Sequence, residues 1–128
     1  MPTISVTRDN FESTVRQGLV LLDFWAGWCG PCRTFGPVFE AASSRHPDVV
    51  FGKIDTEAQP ELAAAFNVQG IPTLAVIRDG VLLMAQAGAL PAAALDEVVE
   101  KAKALDMAEV RRAIAEEAKS GGPPEGGA

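Results

Sequence analysis

Cysteine and histidine are scarce in this sequence, and tyrosine is missing altogether. The 128 residues contain two cysteines, Cys29 and Cys32, and a single histidine, His46. Two cysteines are too few for a secreted domain held together by several disulfides, so their spacing indicates chemistry instead. A structural zinc site usually needs four protein ligands, which two cysteines and one histidine do not supply. A purely structural disulfide across two residues is the other alternative, although it would constrain almost no chain entropy.

Basic residues and long apolar runs are also in short supply. The sequence has 11 lysines and arginines against 17 aspartates and glutamates, which gives a formal net charge of −6. That balance argues against binding to nucleic acid or to an acidic membrane surface. No apolar run reaches the roughly 18 residues of a membrane-spanning helix, and the N-terminus lacks the pattern of a secretion signal. We therefore expect a cytoplasmic protein without nucleic-acid or membrane partners.

Strand-length apolar runs alternate with stretches of helical periodicity along most of the chain. This alternation predicts the order β-α-β-α-β-α-β-β-α, an α/β fold with helices on both faces of a mixed sheet. The predicted elements are a strand at Thr3–Val6, a helix from about Asp9 to Gln17, a strand at Leu19–Trp25, a helix from Gly30 or Pro31 to His46, a strand at Val49–Asp55, a short helix at Pro60–Phe66, strands at Thr73–Ile77 and Val81–Ala87, and a helix from Pro91 to Leu105.

Three local signals support these assignments. Asp9 followed by Glu12 resembles a capping box at the start of the first helix. Leu19–Trp25 is nearly all apolar, which is typical of a strand covered on both faces. Asp79-Gly80 between two apolar runs predicts a β-hairpin.

The end of the sequence extends beyond this globular pattern. Asp106 with Glu109 forms a second capping-box-like pair. An apolar stripe at helical spacing follows the pair: Met107, Val110, Ile114, Ala118. We therefore predict one domain over residues 1–105, an extra helix over 106–119 and, because SGGPPEGGA cannot build a core, a disordered tail over 120–128.

The strand before the cysteines contains a carboxylate, Asp23, six residues ahead of Cys29. A buried charge is costly unless it is paired or neutralised, so this carboxylate needs a partner or a function. We expect burial to raise the pKa of Asp23 toward neutrality. A carboxylate behind the cysteines could then accept the proton that Cys32 must lose before it attacks.

Cys29-Gly30-Pro31-Cys32 follows a predicted strand and opens a predicted helix. The helix N-terminus directs free N–H groups and positive dipole toward the first sulfur, which favours its reactive thiolate. We expect Cys29 to be the exposed nucleophile and Cys32 the shielded resolving thiol of a thiol–disulfide exchange. His46, at the far end of the same helix, is expected to be solvated rather than catalytic.

Several motifs occur together and in order. Asp-Phe-Trp-Ala precedes WCGPC, Lys53 lies on the next strand, Ile71-Pro72-Thr73 precedes the hairpin, and Gly88 follows it. Over about residues 2–105 the sequence resembles the thioredoxin family. The resemblance implies a thioredoxin fold with a central mixed five-stranded sheet, and a monomer that acts as a general protein disulfide reductase.

The resemblance also assigns roles to individual residues. Cys29 and Cys32 match the redox pair. Asp23 matches the family's buried acid, and Lys53 matches its partner on the neighbouring strand. Pro72 matches a cis-proline that faces the disulfide. The expected substrate-binding surface consists of Trp28, Gly30, Pro31, Ile71, Pro72, Ala87 and Gly88.

The resemblance further implies that no cofactor or metal is bound, because the disulfide of Cys29 and Cys32 is itself the redox group. Electrons would come from NADPH through a flavoprotein thioredoxin reductase and pass to disulfide-containing client proteins. Two alternatives are a thioredoxin-fold binding subunit and a disulfide isomerase or oxidant. A binding subunit does not need both cysteines and Asp23. Gly-Pro between the cysteines favours, by resemblance, the reductase over the isomerase or oxidant.

Overall fold

The computed structural model describes residues 3–121 of the chain. Within this range the elements are β1 (Thr3–Ser5), α1 (Phe11–Val15), β2 (Leu19–Trp25), α2 (Gly30–Arg45), β3 (Val50–Asp55), α3 (Pro60–Ala65), β4 (Thr73–Arg78), β5 (Val81–Ala87), α4 (Ala92–Ala104) and α5 (Met107–Gly121). The strands form one sheet in the order β1-β3-β2-β4-β5. The predicted α/β class and mixed five-stranded sheet are therefore confirmed.

β2 lies at the centre of the sheet, and all of its residues except Trp25 are buried. It pairs in parallel with β3 on one side and antiparallel with β4 on the other. Its predicted bounds agree with the structure because a strand covered on both faces is a continuous apolar run. The register places Asp23 opposite Lys53, so the single acidic residue of β2 lies beside the lysine of β3.

Apolar clusters fill both faces of the sheet. One cluster lies under α2 and α4 and includes Phe39 and Leu95. The other lies under α1 and α3 and includes Phe24 and Leu62. α2 packs on the sheet through Phe35 and Phe39, both of which are fully buried, and this packing fixes the helix whose first turn contains the cysteines.

β4 and β5 form the predicted hairpin around Asp79 and Gly80. These two residues have positive φ angles of 53° and 81°, which is the turn geometry that favours Asp-Gly. The ladder shifts register between Val76 and Ile77, as at a β-bulge. β5 then continues until Ala87 lies opposite Thr73, so the far end of the hairpin lies beside the segment that leads into β4.

The predicted capping box of the first helix is wrong. α1 has Asn10 as its N-cap residue, and the Asn10 side chain makes no capping bond to the helix. Its Oδ1 instead accepts a hydrogen bond from the Thr7 N–H at 2.8 Å, and its Nδ2 donates to the Ser5 carbonyl at 3.0 Å. Side chains of this type can bond to nearby backbone in place of a helix end, and here Asn10 fixes the loop after β1.

The expectation that His46 is solvated is also wrong. His46 is only 9% exposed, and its ring stacks on Phe51. Its Nε2 lies 2.8 Å from Oδ1 of Asp96 on α4. The same oxygen accepts a hydrogen bond from Arg45 at 2.9 Å. The C-terminal end of α2 is therefore joined to α4 by a small network of charged side chains.

The C-terminal end of α4 is held by Arg78, the last residue of β4. Its Nη1 donates to the carbonyl oxygens of Ala102, Lys103 and Leu105 at 2.8, 3.0 and 2.9 Å. A cation at this end of a helix also interacts favourably with the helix dipole. Arg78 thus fixes the place from which the last helix departs.

Two residues, Leu105 and Asp106, separate α4 from α5. Oδ1 of Asp106 accepts hydrogen bonds from the N–H groups of Ala108 and Glu109 at 3.0 and 3.3 Å, as a capping residue does. Met107 is buried, but residues 111–119 are exposed, so α5 projects from the domain. The helix includes residues 120 and 121, where a disordered tail was predicted, and the rest of that predicted tail lies outside the described residues.

Candidate active site

Cys29 and Cys32 form a disulfide at the N-terminal end of α2. Cys29 is the N-cap residue of the helix, with an extended backbone at φ −91° and ψ 115°. Its Sγ accepts a hydrogen bond from the Cys32 backbone N–H at 3.1 Å. Gly30 and Pro31 supply the first residues of the helix, where proline is tolerated because its missing N–H would have had no partner. An N–H donor at the helix end stabilises negative charge on the first sulfur.

Exposure does not distinguish the two cysteines in this disulfide form. Cys29 is 4% exposed and Cys32 is 5% exposed, so the prediction of an exposed Cys29 and a shielded Cys32 is wrong for this state. Both sulfurs pack in a small apolar cluster with Ala26, Trp25 and Ile71. The local pattern around the cysteines could not reveal this covering, because Ile71 comes from a distant part of the chain; only the family resemblance placed Ile71 near the redox pair.

The Ile71-Pro72 peptide bond is cis, as the family resemblance implied. Sγ of Cys29 lies 3.7 Å from the carbonyl oxygen of Ile71, so this turn faces the disulfide. The Gly88 N–H donates to the Pro72 carbonyl at 2.8 Å. Gly88 has a φ of 115°, a conformation that favours glycine. The structure therefore brings the end of the hairpin against the cis turn, beside the redox pair.

The predicted substrate-binding surface beside the disulfide consists of uncharged residues, and most of them are exposed. Trp28 is 68% exposed, although its Nε1 donates to Oε2 of Glu57 at 3.0 Å. Glu57 was not identified from the sequence, since nothing in its pattern links it to Trp28. The other predicted surface residues are also exposed except Ile71, which is half-buried, and Pro72, which is buried: Gly30, Pro31, Ala87 and Gly88.

Asp23 lies in the centre of the sheet and is 1% exposed. Neither of its carboxylate oxygens has a hydrogen-bond partner among the described residues. Burial raises the pKa of Asp23 to about 6, while the positive charge of Lys53 acts to lower it. The carboxyl group therefore changes protonation state close to neutral pH, which a solvated aspartate does not do.

An open groove of about 590 Å³ runs along the Cys32 side of the site. Cys32, Lys53, Gly36 and Trp25 are among the residues that line it. Nζ of Lys53 lies 5.5 Å from the centroid of the Trp25 ring, a distance at which a cation and an aromatic face attract each other. The groove gives solvent a route to the second cysteine and to the lysine that faces Asp23 in the sheet register.

Residues 3–121 contain neither a candidate metal site nor a candidate membrane-spanning helix. No group of three or more histidine, cysteine, aspartate or glutamate side chains in this range could hold a metal ion. No helix in the described part of the chain is long and apolar enough to cross a membrane.

The disulfide of Cys29 and Cys32 at the start of α2, with a cis-proline turn facing it, is the arrangement of a thiol–disulfide oxidoreductase. Comparisons with known proteins agree with this class. The thioredoxin family model matches residues 2–101, and so ends before α5. The chain therefore belongs to the thioredoxin family, and its redox group is a disulfide rather than a prosthetic group.

Individual relatives show the same relationship. The chain is 55% identical over 121 residues to a protein named putative thioredoxin 2 from Streptomyces coelicolor, which covers 94% of this chain and 90% of the relative. It is 40% identical over 97 residues to thioredoxin from Listeria monocytogenes, covering 75% of this chain and 94% of the relative. A solved structure of a mutant thioredoxin from Halobacterium salinarum has a TM-score of 0.76 and 30% identity, covering 82% of this chain and 95% of that one.

Proposed function

We propose that this protein is a general protein disulfide reductase, which thioredoxin reductase returns to the dithiol form with electrons from NADPH. The observation that carries the proposal is the position of the Cys29 sulfur. It accepts the Cys32 N–H at the start of α2 and lies 3.7 Å from the Ile71 carbonyl. A reactive sulfur is thereby placed beside backbone that an extended client segment could pair with, as an added strand.

In the first step, the thiolate of Cys29 attacks one sulfur of a client disulfide. The new sulfur–sulfur bond joins Cys29 to the client, and the other client sulfur leaves as a thiolate that takes up a proton. The N–H of Cys32 supports the thiolate before attack, because a hydrogen bond to the charged form favours that form. This step needs no external oxidant or reductant, because the disulfide between Cys29 and the client replaces the disulfide within the client.

In the second step, Cys32 attacks Cys29, restores the internal disulfide and releases the client as a dithiol. Cys32 must lose a proton first, and we assign Asp23 as the acceptor, through water. A pKa of about 6 for Asp23 supports this role, because a base is most effective when its pKa is near the working pH. Lys53 tunes that pKa and makes the buried charge tolerable.

Client binding is assigned to the uncharged surface around the disulfide. Its exposed part consists of Trp28, Gly30, Pro31, Ala87 and Gly88, with Ile71 partly buried at its centre. A neutral surface of this kind suits clients that share a disulfide but not a sequence, since it makes few charge-specific demands. Disulfide-containing proteins are the proposed partners, whereas a cytoplasmic location and the lack of nucleic-acid partners stay predictions.

A coupled assay tests the proposal. Purified protein is mixed with a bacterial thioredoxin reductase, NADPH and insulin as the disulfide substrate, and both NADPH consumption and insulin reduction are followed. We expect both signals with the wild type. Insulin reduction with dithiothreitol but not with NADPH and the reductase would contradict only the recycling route.

A second set of results would contradict the reductase itself. If insulin stays oxidised under both conditions, the chain is not a disulfide reductase. If it re-pairs the cysteines of scrambled ribonuclease without net reduction of insulin, the isomerase alternative replaces the reductase.

A further inference from the structure

An apolar groove lies between β5 and α4, close to the point where α5 departs. Its volume is about 230 Å³, and the residues that line it include Val76, Leu83, Met84, Val98 and Leu105, with Lys101 as its one charged lining residue in the described part of the chain. Leu105 is 41% exposed. Apolar surface left open in this way marks a contact site more often than scattered single residues do.

The apolar stripe of α5 is a second uncovered surface in the same region. Ile114 is 50% exposed, and every residue from 111 to 119 is exposed. A helix of 15 residues is only marginally stable in water unless an amphipathic face is buried. Contact between the apolar stripe and another apolar surface would therefore stabilise α5.

We propose that α5 of one copy packs into the groove of a second copy and that the contact is reciprocal, so that the protein forms a symmetric dimer. The groove and the helix are different surfaces of one chain, and two such contacts related by a twofold axis close the assembly. This dimer replaces the monomer expected from the family resemblance. The proposal does not depend on the reductase function.

Charge complementarity favours a second copy as the occupant. Lys101 lines the groove, and Glu117 lies three residues beyond Ile114, beside the apolar stripe of α5. Lys101 pairs only with Glu97 among the described residues, at 3.5 Å in a highly exposed pair, and such a pair contributes little. Glu117 has no ion-pair partner among residues 3–121. The proposed dimer orients α5 so that, with Ile114 of one copy in the groove of the other, Glu117 rather than Arg111 meets Lys101.

The helix does not cover the groove of its own chain. Arg78 holds the last carbonyls of α4 and of the junction, and Met107 is buried at the base of α5. α5 starts from this fixed junction, and Ile114 lies about 12 Å along the helix axis from Asp106, at 1.5 Å per residue. α5 would have to reverse its direction to return Ile114 to the groove at its own base.

Analytical ultracentrifugation of the full chain tests the proposal over protein concentrations from about 1 µM to about 1 mM, a range that covers weak and moderate affinities. We expect the wild type to form a reversible dimer. Ile114→Glu should weaken dimerisation by about a hundredfold, because it places a charge in an apolar contact. Ala115→Glu is the matched control, since it adds the same charge about 100° around the helix and should weaken dimerisation by less than about threefold.

Charge exchange distinguishes a second copy from folding back within one chain. Lys101→Glu and Glu117→Lys should each weaken dimerisation by about tenfold, because each creates two like-charge contacts per dimer. An equimolar mixture of the two variants restores opposite charges at both contacts, and should recover the wild-type affinity as a heterodimer. Circular dichroism and urea unfolding check that every variant is folded.

Three results would overturn the proposal. A wild type that stays monomeric at all concentrations has no such contact. A dimer that Ile114→Glu does not weaken uses another surface. A mixture of the two charge variants that associates no better than either alone means that Lys101 and Glu117 do not meet between copies.

Discussion

Two carboxylates, one assigned to the redox site at the N-terminal end of α2 and one bonded to its C-terminal end, have opposite environments. Asp23, in β2, is 1% exposed, and neither of its carboxylate oxygens has a hydrogen-bond partner among the described residues. At the last turn, Asp96 is bonded to both His46 and Arg45. Burial raises the pKa of Asp23 to about 6, whereas the hydrogen bonds from His46 and then Arg45 lower the pKa of Asp96.

The opposite pKa shifts indicate that Asp23 serves the chemistry of the site, whereas Asp96 serves the stability of the fold. Leaving a buried carboxylate without hydrogen bonds destabilises the fold, and such groups concentrate at functional sites. Asp96, by contrast, uses its charge to join α2 to α4, and the pKa shift records that stabilisation. Substitutions at the two ends should therefore affect activity and stability in opposite combinations.

The largest expected effect is the loss of exchange when the redox pair is broken. Cys29→Ser should reduce the rate of insulin reduction by at least about a thousandfold, since no other group can take the nucleophile's place. Cys32→Ser should still attack clients and should accumulate mixed disulfides that are visible on non-reducing gels. Mixed disulfides that accumulate only with Cys29→Ser would reverse the two roles.

Asp23→Asn should slow the second chemical step by about a hundredfold near pH 7, in line with the loss of a positioned acid–base group. Stopped-flow measurement of mixed-disulfide release from pH 5 to 9 should show a wild-type inflection near pH 6, set by the pKa of Asp23. The inflection should be absent from the variant. Identical rates and pH profiles would rule out Asp23 as the proton acceptor.

The same substitution should stabilise the fold at neutral pH. The pKa of Asp23 rises from 3.8 to about 6 on folding, so the folded state binds the extra proton between these values. The free energy of unfolding of the wild type therefore falls as pH rises from about 4 to above 6. The full shift corresponds to about 3 kcal/mol, at roughly 1.4 kcal/mol per pH unit.

Urea unfolding from pH 4 to pH 8 measures this difference. The advantage of Asp23→Asn over the wild type should be small at pH 4, grow as pH rises to about 6, and stay constant above that pH. A variant that is less stable than the wild type at pH 7 would mean that the carboxylate is stabilised by its surroundings.

The smallest expected effect lies at the other end of the helix. Asp96→Asn should destabilise the fold by about 1 kcal/mol at pH 7 and leave insulin reduction unchanged. The effect is small because the carboxylate is 37% exposed and solvent screens its interactions. Since folding lowers the pKa of Asp96, its contribution is present above pH 3.8 and is lost as pH falls through the lowered value.

The same urea experiments check this prediction. The stability difference between Asp96→Asn and the wild type should shrink in acid, and it has the opposite sign to that of Asp23→Asn. Asp96→Ala serves as a second variant, because it removes the hydrogen bonds as well as the charge. A loss of insulin reduction without unfolding would show that the two ends of α2 are coupled.

The sequence predicted best the features that local pattern determines. β2 could be placed to the residue because Leu19–Trp25 is a continuous apolar run, and the hairpin followed from Asp79-Gly80. The site at Cys29 and Cys32 followed from spacing, from the strand-to-helix context and from the family resemblance. The cis bond at Ile71-Pro72 came from the resemblance alone.

Features that depend on distant parts of the chain were missed or wrong. His46 was expected in solvent because nothing near it predicts its bond to Asp96, fifty residues later. Both cysteines are covered because Ile71 packs on them. The capping box of Asp9 and Glu12 failed for another reason: the helix begins later, Asn10 takes the N-cap position, and the Asn10 side chain accepts from the Thr7 N–H in the preceding loop instead.

The junction between α4 and α5, where Arg78 bonds three carbonyl oxygens, is a suitable place to attach a label or a fused domain. β5 separates that junction from the redox end by seven residues, or about 23 Å at 3.3 Å per residue. A dye, a surface linker or a fused domain attached beyond α4 would lie away from the surface around the disulfide. Because the arginine fixes the junction to the sheet, such an attachment would also keep a defined orientation relative to the site.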